Sequence, residues 1–563
     1  MRISIIALAA ICLAACTTPP ASLTSAAQTP GPPSLAPASS ASMPPEATDP
    51  ASPDIRVMLA PGNDPKSGRL IVIATPVKSV PEATSTPYPR YLPGGQGSYI
   101  AAQEAPFLTP AQATRINADQ LAYPLPLSRI PEGDYWLQVR LDANHNAAFS
   151  MLDQDNDFTS VPVKLHLPTS DPIRATLKPE REVALQGKPA PAPTPVVTDP
   201  NIKDIDFVSP SLSAFWGREI HMRGLVLLPP GYDTSKERYP TVYRTEGFGG
   251  SLAGQRLTAR RHLDLMKTGQ TPPMIRVFLD HSSPWGTHEF ADSVNNGPWG
   301  KALTEELIPA LEKQYRMDAK PSGRFTTGHS SGGWFAIWQQ VRYPKVFGGT
   351  WARAPDPVDF RSFTGVDLYA PNANAYVRPD GSPQYLVRDA RGVETTMLKD
   401  YAARENVIGD FGGQFDSFDW VFSPKGNDGR PREIFDRVTG KVDPEVAAYW
   451  RANFDIGAII RRDWKTLKPD LDGKIHLIMG TNDTFHLDEA ARLLETELNA
   501  LGARSSFFWM DGRNHGNLDA IGEDPLGLEK KIAAEMYAVA RPKNPFKPAP
   551  SPAIVKNAPP PAP

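Results

Sequence analysis

Gly328-His329-Ser330-Ser331-Gly332 sets a hydroxyl between two residues that carry no side chain. A short β-rich run, Arg324 to Thr327, leads into it, and a helical run, Gly333 to Trp338, leaves it. The glycines then have a physical reason. A serine at the tip of a strained turn would be crowded by a Cβ at either flank. The tip also lies at a helix N-terminus, where free N–H groups favour negative charge. This is a setting for a serine nucleophile that attacks a carbonyl and passes through an oxyanion. A bare G-x-S-x-G also arises as a tight turn with an incidental serine, so the surrounding strand and helix carry the argument.

A serine hydroxyl needs a base, and the base must be held in one tautomer. The strand–turn–helix around Ser330 resembles the nucleophile elbow of α/β-hydrolases, and that resemblance implies the chain order serine, acid, histidine. Three histidines follow Ser330: His476, His486 and His515. His476 falls inside a predicted strand, and His486 stands just before a predicted helix. His515 lies in the loop Asp511 to Asn517, after the predicted strand Ser506–Met510, and is the candidate base. Asp483 follows the predicted strand Ile475–Met479 and is the candidate acid, with a helix cap as the competing reading. Asp488 is its rival, inside the next helix. The candidate oxyanion donors are the N–H of Ser331 and the N–H of Phe248, with Gly247 as the alternative to Phe248.

The run Arg223 to Asp233, the run Tyr239 to Tyr243 and the elbow together resemble the putative esterase family, which includes esterase D and enterochelin esterase-like enzymes. The resemblance covers most of 204–541. It implies an α/β-hydrolase fold, serine esterase activity without a cofactor or metal, and a triad at Ser330, Asp483 and His515. Ser213 to Arg218, Asn296-Gly297-Pro298 and Asp356 to Arg361 resemble a less characterised bacterial branch. One departure stands out: the early loop reads Glu246-Gly247 where relatives often have His-Gly. A carboxylate there would oppose the oxyanion if it pointed inward.

The rest of the chain must position these residues. It has 563 residues, enough for two or three domains, with 59 Lys+Arg against 62 Asp+Glu. So balanced a charge argues against nucleic-acid binding. Arg2, the apolar run Ile3–Leu13 and Leu13-Ala14-Ala15-Cys16 resemble a lipoprotein signal, with Cys16 the lipidated residue. Both cysteines, Cys12 and Cys16, lie in that signal, so no disulfide, Cys metal site or Cys nucleophile is expected after it. The expected localisation is the cell envelope, with membrane attachment through the lipid alone.

Composition divides the remainder. Residues 16–53 read as a Pro/Ala/Ser/Thr tether, and 54–186 as a β-rich, sandwich-like domain. A Pro-rich linker occupies 187–203. The catalytic domain spans 204–543, with strands alternating with helices and a cap-like insertion at about 372–464. Residues 544–563 read as a disordered tail. Because every triad candidate follows the linker, the β-rich domain is expected to be dispensable for chemistry. The polar loop Asp292–Pro298 is either pocket lining or turn chemistry. Asp142 to Asn146, with Asp153 and Asp155, has partial Ca²⁺-loop character but lacks the sixth-position glycine and terminal glutamate, so a polar hairpin is favoured. Trp334 and Trp338 are expected to be core. The rival functions are a serine peptidase or acyltransferase of the same superfamily, and a binding lipoprotein that keeps the fold without catalysis.

Overall fold

The computed structural model of the chain describes residues 52–79, 97–145, 157–180, 182, 199–409 and 413–549. The signal, Cys16, nearly all of the tether, most of the Pro-rich linker, Asp153, Asp155 and the last residues of the tail lie outside them.

Nine strands between Ile55 and Pro179 join into one sheet. Ile55, Val57 and Leu59 from one end share a buried cluster with Leu70, Val72 and Leu137 from the middle, so the sheet closes over a core. Strand Lys66–Pro76 is buried at almost every position. Its period-two alternation therefore serves two cores. Leu70 and Val72 face the interior of the sheet, and Ile71 and Ile73 face outward, against Val407 and Ile408 of the following region.

The second region is built on eight strands: β1 (Ile202–Val208), β2 (His221–Leu227), β3 (Thr241–Thr245), β4 (Ile275–Leu279), β5 (Arg324–Ser330), β6 (Gly349–Pro355), β7 (Ile475–Gly480) and β8 (Ser505–Met510). Their order is β1-β2-β4-β3-β5-β6-β7-β8. β1 and β2 run antiparallel to their neighbours, and β4 through β8 pair in parallel. This is the α/β-hydrolase sheet. β1 begins at Ile202, two residues before the boundary read from composition, because Ile202 pairs with Leu227.

The helices that matter are α1 (Leu252–Lys267), α2 (Ser331–Arg342), α3 (Leu398–Ile408), α4 (Gln414–Phe422), α5 (Pro444–Asn453), α6 (Ile456–Leu471), α7 (Leu487–Ala500) and α8 (Gly527–Ala540). α1 covers one face of the sheet, with Ala259, Leu263 and Met266 against Leu225, Leu227 and Phe278. α2 is buried almost throughout, its Gln339 and Gln340 included, as expected of a helix covered on every side. Trp334 and Trp338 stack at 4.8 Å and meet Phe422 and Phe454, so they are core.

The insertion follows β6 and carries α3, α4 and α5. It ends near Asp455 rather than Trp464, because α6 packs on α2 as part of the sheet's own helical layer. The tail also starts later than its composition indicates. Phe546 packs edge-on to Tyr537, and Ala549 N–H bonds Gly269 O at 2.9 Å.

Candidate active site

Ser330 ends β5 and caps α2 with φ 59° and ψ −124°. A non-glycine residue there is strained, and its surroundings force it. A Cβ on Gly328 would stand 2.1 Å from Gly332 O, and one on Gly332 2.4 Å from Thr245 O. Neither flank admits a side chain. The loop after β3 also comes close, since a Cβ on Gly247 would lie 3.0 Å from Ser330 Cβ. Ser331 is the first residue of α2, and Phe248 follows Gly247 in that loop. Glu246 is paired: Arg244 Nη2 donates to both of its carboxylate oxygens, at 3.1 and 3.3 Å.

β7 and β8 deliver the other two residues. His515 Nδ1 lies 2.8 Å from Asp483 Oδ2. Asp483 is fully buried, and its Oδ1 accepts the N–H groups of Phe485 at 2.9 Å and Leu487 at 3.3 Å. Burial alone would push this carboxyl up. His515 and the two backbone donors more than offset it, so it stays ionised below the usual aspartate range. The His515 loop is tied to the Asp483 loop by contacts only glycine permits. A Cβ on Gly480 would fall 2.2 Å from Arg513 O. Asn482 N–H bonds that same oxygen at 3.0 Å, and Thr481 Oγ1 bonds Asp511 Oδ1 at 3.1 Å.

The rival residues are placed elsewhere. His486 pairs through Nδ1 with Glu489 at 3.2 Å. His476 stacks on Trp351, with ring centroids 4.2 Å apart. Asp488 pairs with Arg388. The loop Asp292–Pro298 braces the insertion: Ser293 Oγ donates to Trp420 O at 3.0 Å, and Asn295 Nδ2 to Ser423 O at 2.8 Å.

Two residues enter that sequence reasoning missed. His329, the residue before the nucleophile, places Nε2 2.8 Å from His515 O. A carbonyl accepts only from a protonated nitrogen, so Nε2 carries the hydrogen. Burial, helped by His515 and Arg353, brings its pKa down to about 3 and keeps it neutral. The second is Asp356, just after β6. Its Oδ1 accepts the Ser330 hydroxyl at 3.2 Å, and its Oδ2 accepts the Ser331 hydroxyl at 2.6 Å. Burial pushes this carboxyl up to about 6 against the opposing pull of Ser331 and His515. Position after a sheet strand was the available signal, but nothing local distinguishes Asp356 from Asp359.

Among the described residues no group of three or more His, Cys, Asp or Glu side chains is arranged to hold a metal. Among them also, no helix is long and apolar enough to cross a membrane.

Comparison with known proteins finds esterases among the proteins this chain resembles. Uncharacterized protein YbbA of Bacillus subtilis is 26% identical over 136 residues, which is 22% of this chain and 53% of that protein. Esterase Rv1288 of Mycobacterium tuberculosis is 26% identical over 153 residues, 27% of this chain and 33% of that one. The chain thus spans about half, or a third, of the length of these relatives. Among solved structures, carboxyl esterase 2 of the fungus Tuber melanosporum aligns with 63% of this chain and 96% of its own, at 11% identity and a TM-score of 0.37. A family model described as Putative esterase matches residues 213–401, which run from before β2 through the elbow into α3. That matched segment contains Ser330.

Proposed function

We propose that the chain is a carboxylic ester hydrolase that works through an acyl-enzyme on Ser330. The observation that carries this reading is the 2.8 Å pair of His515 and Asp483 beside a strained serine elbow. Asp483 occupies Nδ1, so Nε2 of His515 is the nitrogen left for the nucleophile. In acylation the Ser330 oxygen bonds the ester carbonyl carbon while its proton passes to His515 Nε2. The N–H groups of Ser331 and Phe248 stabilise the oxyanion, and Arg244 pairs with the Glu246 charge. Collapse of the intermediate breaks the bond to the alcohol oxygen, which takes the proton from His515. Water then repeats the sequence, with His515 as base, and releases the acid. No step calls on a cofactor.

The substrate is a small-molecule ester, and neither a macromolecular nor a nucleic-acid partner is invoked. The run Leu13-Ala14-Ala15-Cys16 supports export with lipid attachment at Cys16. Replacement of Cys16 by Ser should move the protein from the membrane fraction to the soluble one. Persistence with membranes would remove the lipid anchor from this account.

Hydrolysis of a short-chain activated ester tests the activity. Ser330→Ala should lower kcat by about 10⁴- to 10⁶-fold, and His515→Ala by a similar factor, with the double variant little worse than either. Equal rates in the wild type and Ser330→Ala would leave a binding protein that keeps the fold.

A further inference from the structure

The Ser330 hydroxyl hydrogen-bonds a carboxylate that a serine hydrolase triad does not require. Asp356 is 2% exposed, and among the described residues its carboxylate accepts from two hydroxyls and from no cation. It also lines a small pocket whose walls include Phe415, Phe418, Phe485, Leu386 and Leu487. Three of those aromatic and aliphatic walls come from the insertion, and Asp356 links the pocket to Ser330. An apolar slot with one acid at its reactive end recognises a group with an apolar body and a donor at one defined place.

A second buried acid feels the charge of the first. Glu289 is fully buried on the loop after β4 at φ 49°, with Oε2 unpaired among the described residues. Thr287 Oγ1 reaches only its other oxygen, at 3.4 Å. Burial and the neighbouring Asp356 charge push Glu289 well up. A raised Glu289 is relieved by its own proton, whereas a positive charge placed against Asp356 offsets the cost of burying that carboxylate.

Resting on the ester hydrolase reading, we infer that Asp356 binds an ammonium group on the acyl carbon next to the ester carbonyl, so that the preferred acyl group is an aminoacyl group. The carbonyl carbon must bond Ser330 Oγ, and the acyl carbon lies one bond beyond, within reach of an acid already in contact with that oxygen. The slot, of about 20 Å³, has room for a side chain no larger than a small one such as the alanyl methyl. When the ammonium engages Asp356, the Ser330 hydroxyl gives up its bond to that carboxylate and turns to His515. Substrate binding and nucleophile release are then one event.

The test compares alanyl, lactoyl and propionyl esters of one alcohol at about pH 7, where an α-amino group is mostly protonated. These acyl groups differ in a single substituent: ammonium, hydroxyl or hydrogen. Wild-type kcat/KM should favour alanyl over propionyl by about 10- to 100-fold, the range for a charge-assisted hydrogen bond. Asp356→Asn should bring that ratio close to one; the ratio, not the absolute rate, is the readout. Should that variant fail to fold, inhibition of the wild type serves instead: alanine amide should compete with the propionyl ester where propionamide does not. A wild-type ratio near one, a lactoyl ester as good as the alanyl, or a ratio that survives Asp356→Asn would overturn the inference. If wild type hydrolyses none of the three faster than Ser330→Ala, the ester hydrolase reading itself has failed.

Discussion

At the residue scale the chemistry depends on which groups are charged. Asp483 must remain ionised to hold His515 in one tautomer, and its burial makes its partners indispensable. Asp483→Asn should therefore cost about as much as the triad aspartate does in serine proteases, near 10⁴-fold in kcat, with the fold intact by circular dichroism. His486→Ala should leave kcat unchanged, because His486 belongs to Glu489; a loss there with full activity in His515→Ala would reverse the assignment of the base. His329 adds a pH signature. Its folded pKa of about 3 lies below the unfolded histidine value of about 6.5. As pH falls below about 6.5, the unfolded chain binds a proton that the folded chain refuses until about pH 3. The histidine therefore contributes no penalty above that window and destabilises progressively within it. Raised carboxyls such as Asp356 act with the opposite sign, but they are common to both proteins in the comparison. His329→Gln keeps a donor to His515 O without titrating. Its melting temperature should fall less than the wild type's between about pH 6 and 4. Parallel curves would mean that His329 is not held neutral. Ser330, Asp483 and His515 were legible because each follows a strand with a local pattern. Asp356 and His329 were not, since their roles arise from contacts between β5, β6 and a loop 186 residues away.

At the element scale, glycines set how closely the loops converge. Gly480 is the sharpest case: a methyl would meet Arg513 O at 2.2 Å, and that carbonyl lies two residues before His515. Gly480→Ala should displace the His515 loop and lower kcat by about 10²-fold, the scale of an ångström misplacement of a reacting group. KM should change less than kcat. Unchanged kinetics would show that the loop relaxes without moving the base. The insertion was visible as a break in strand–helix alternation, but its far boundary was not. Ile456–Leu471 looks like any other amphipathic helix, and only its packing on α2 assigns it to the sheet's helical layer. The loop Asp292–Pro298 was ambiguous for a similar reason, because a polar loop that lines a pocket and one that braces a cap have the same composition.

At the scale of the whole molecule, the β-rich region reaches the catalytic one. Ile71, Ile73, Ile100 and Ala102 bury Val407 and Ile408 of α3, and Arg69 donates to Val407 O at 2.9 Å and Asn406 O at 2.7 Å. α3 also carries Tyr401, which lines the pocket beside Asp356. Composition separated the two regions by a Pro-rich linker and made the first dispensable, since no property of Ile71 alone reveals that it faces outward onto a helix. A chain starting at Ile202 would expose Val407 and Ile408, each worth about 1.5–3 kcal/mol when buried. It should melt at a lower temperature and show a raised KM. Equal stability and kinetics would restore the two regions to independence. The α/β-hydrolase sheet, by contrast, follows from short apolar runs that alternate with helices, and its order brings β5, β7 and β8 to one end. In the proposed reaction that convergence makes Ser330 the nucleophile, and covalent capture measures it directly. The full chain treated with a fluorophosphonate should gain one adduct, mapped by mass spectrometry to the peptide containing Ser330. Labelling should vanish in Ser330→Ala and slow strongly in His515→Ala. An unlabelled wild type, or an adduct on another residue, would contradict the account.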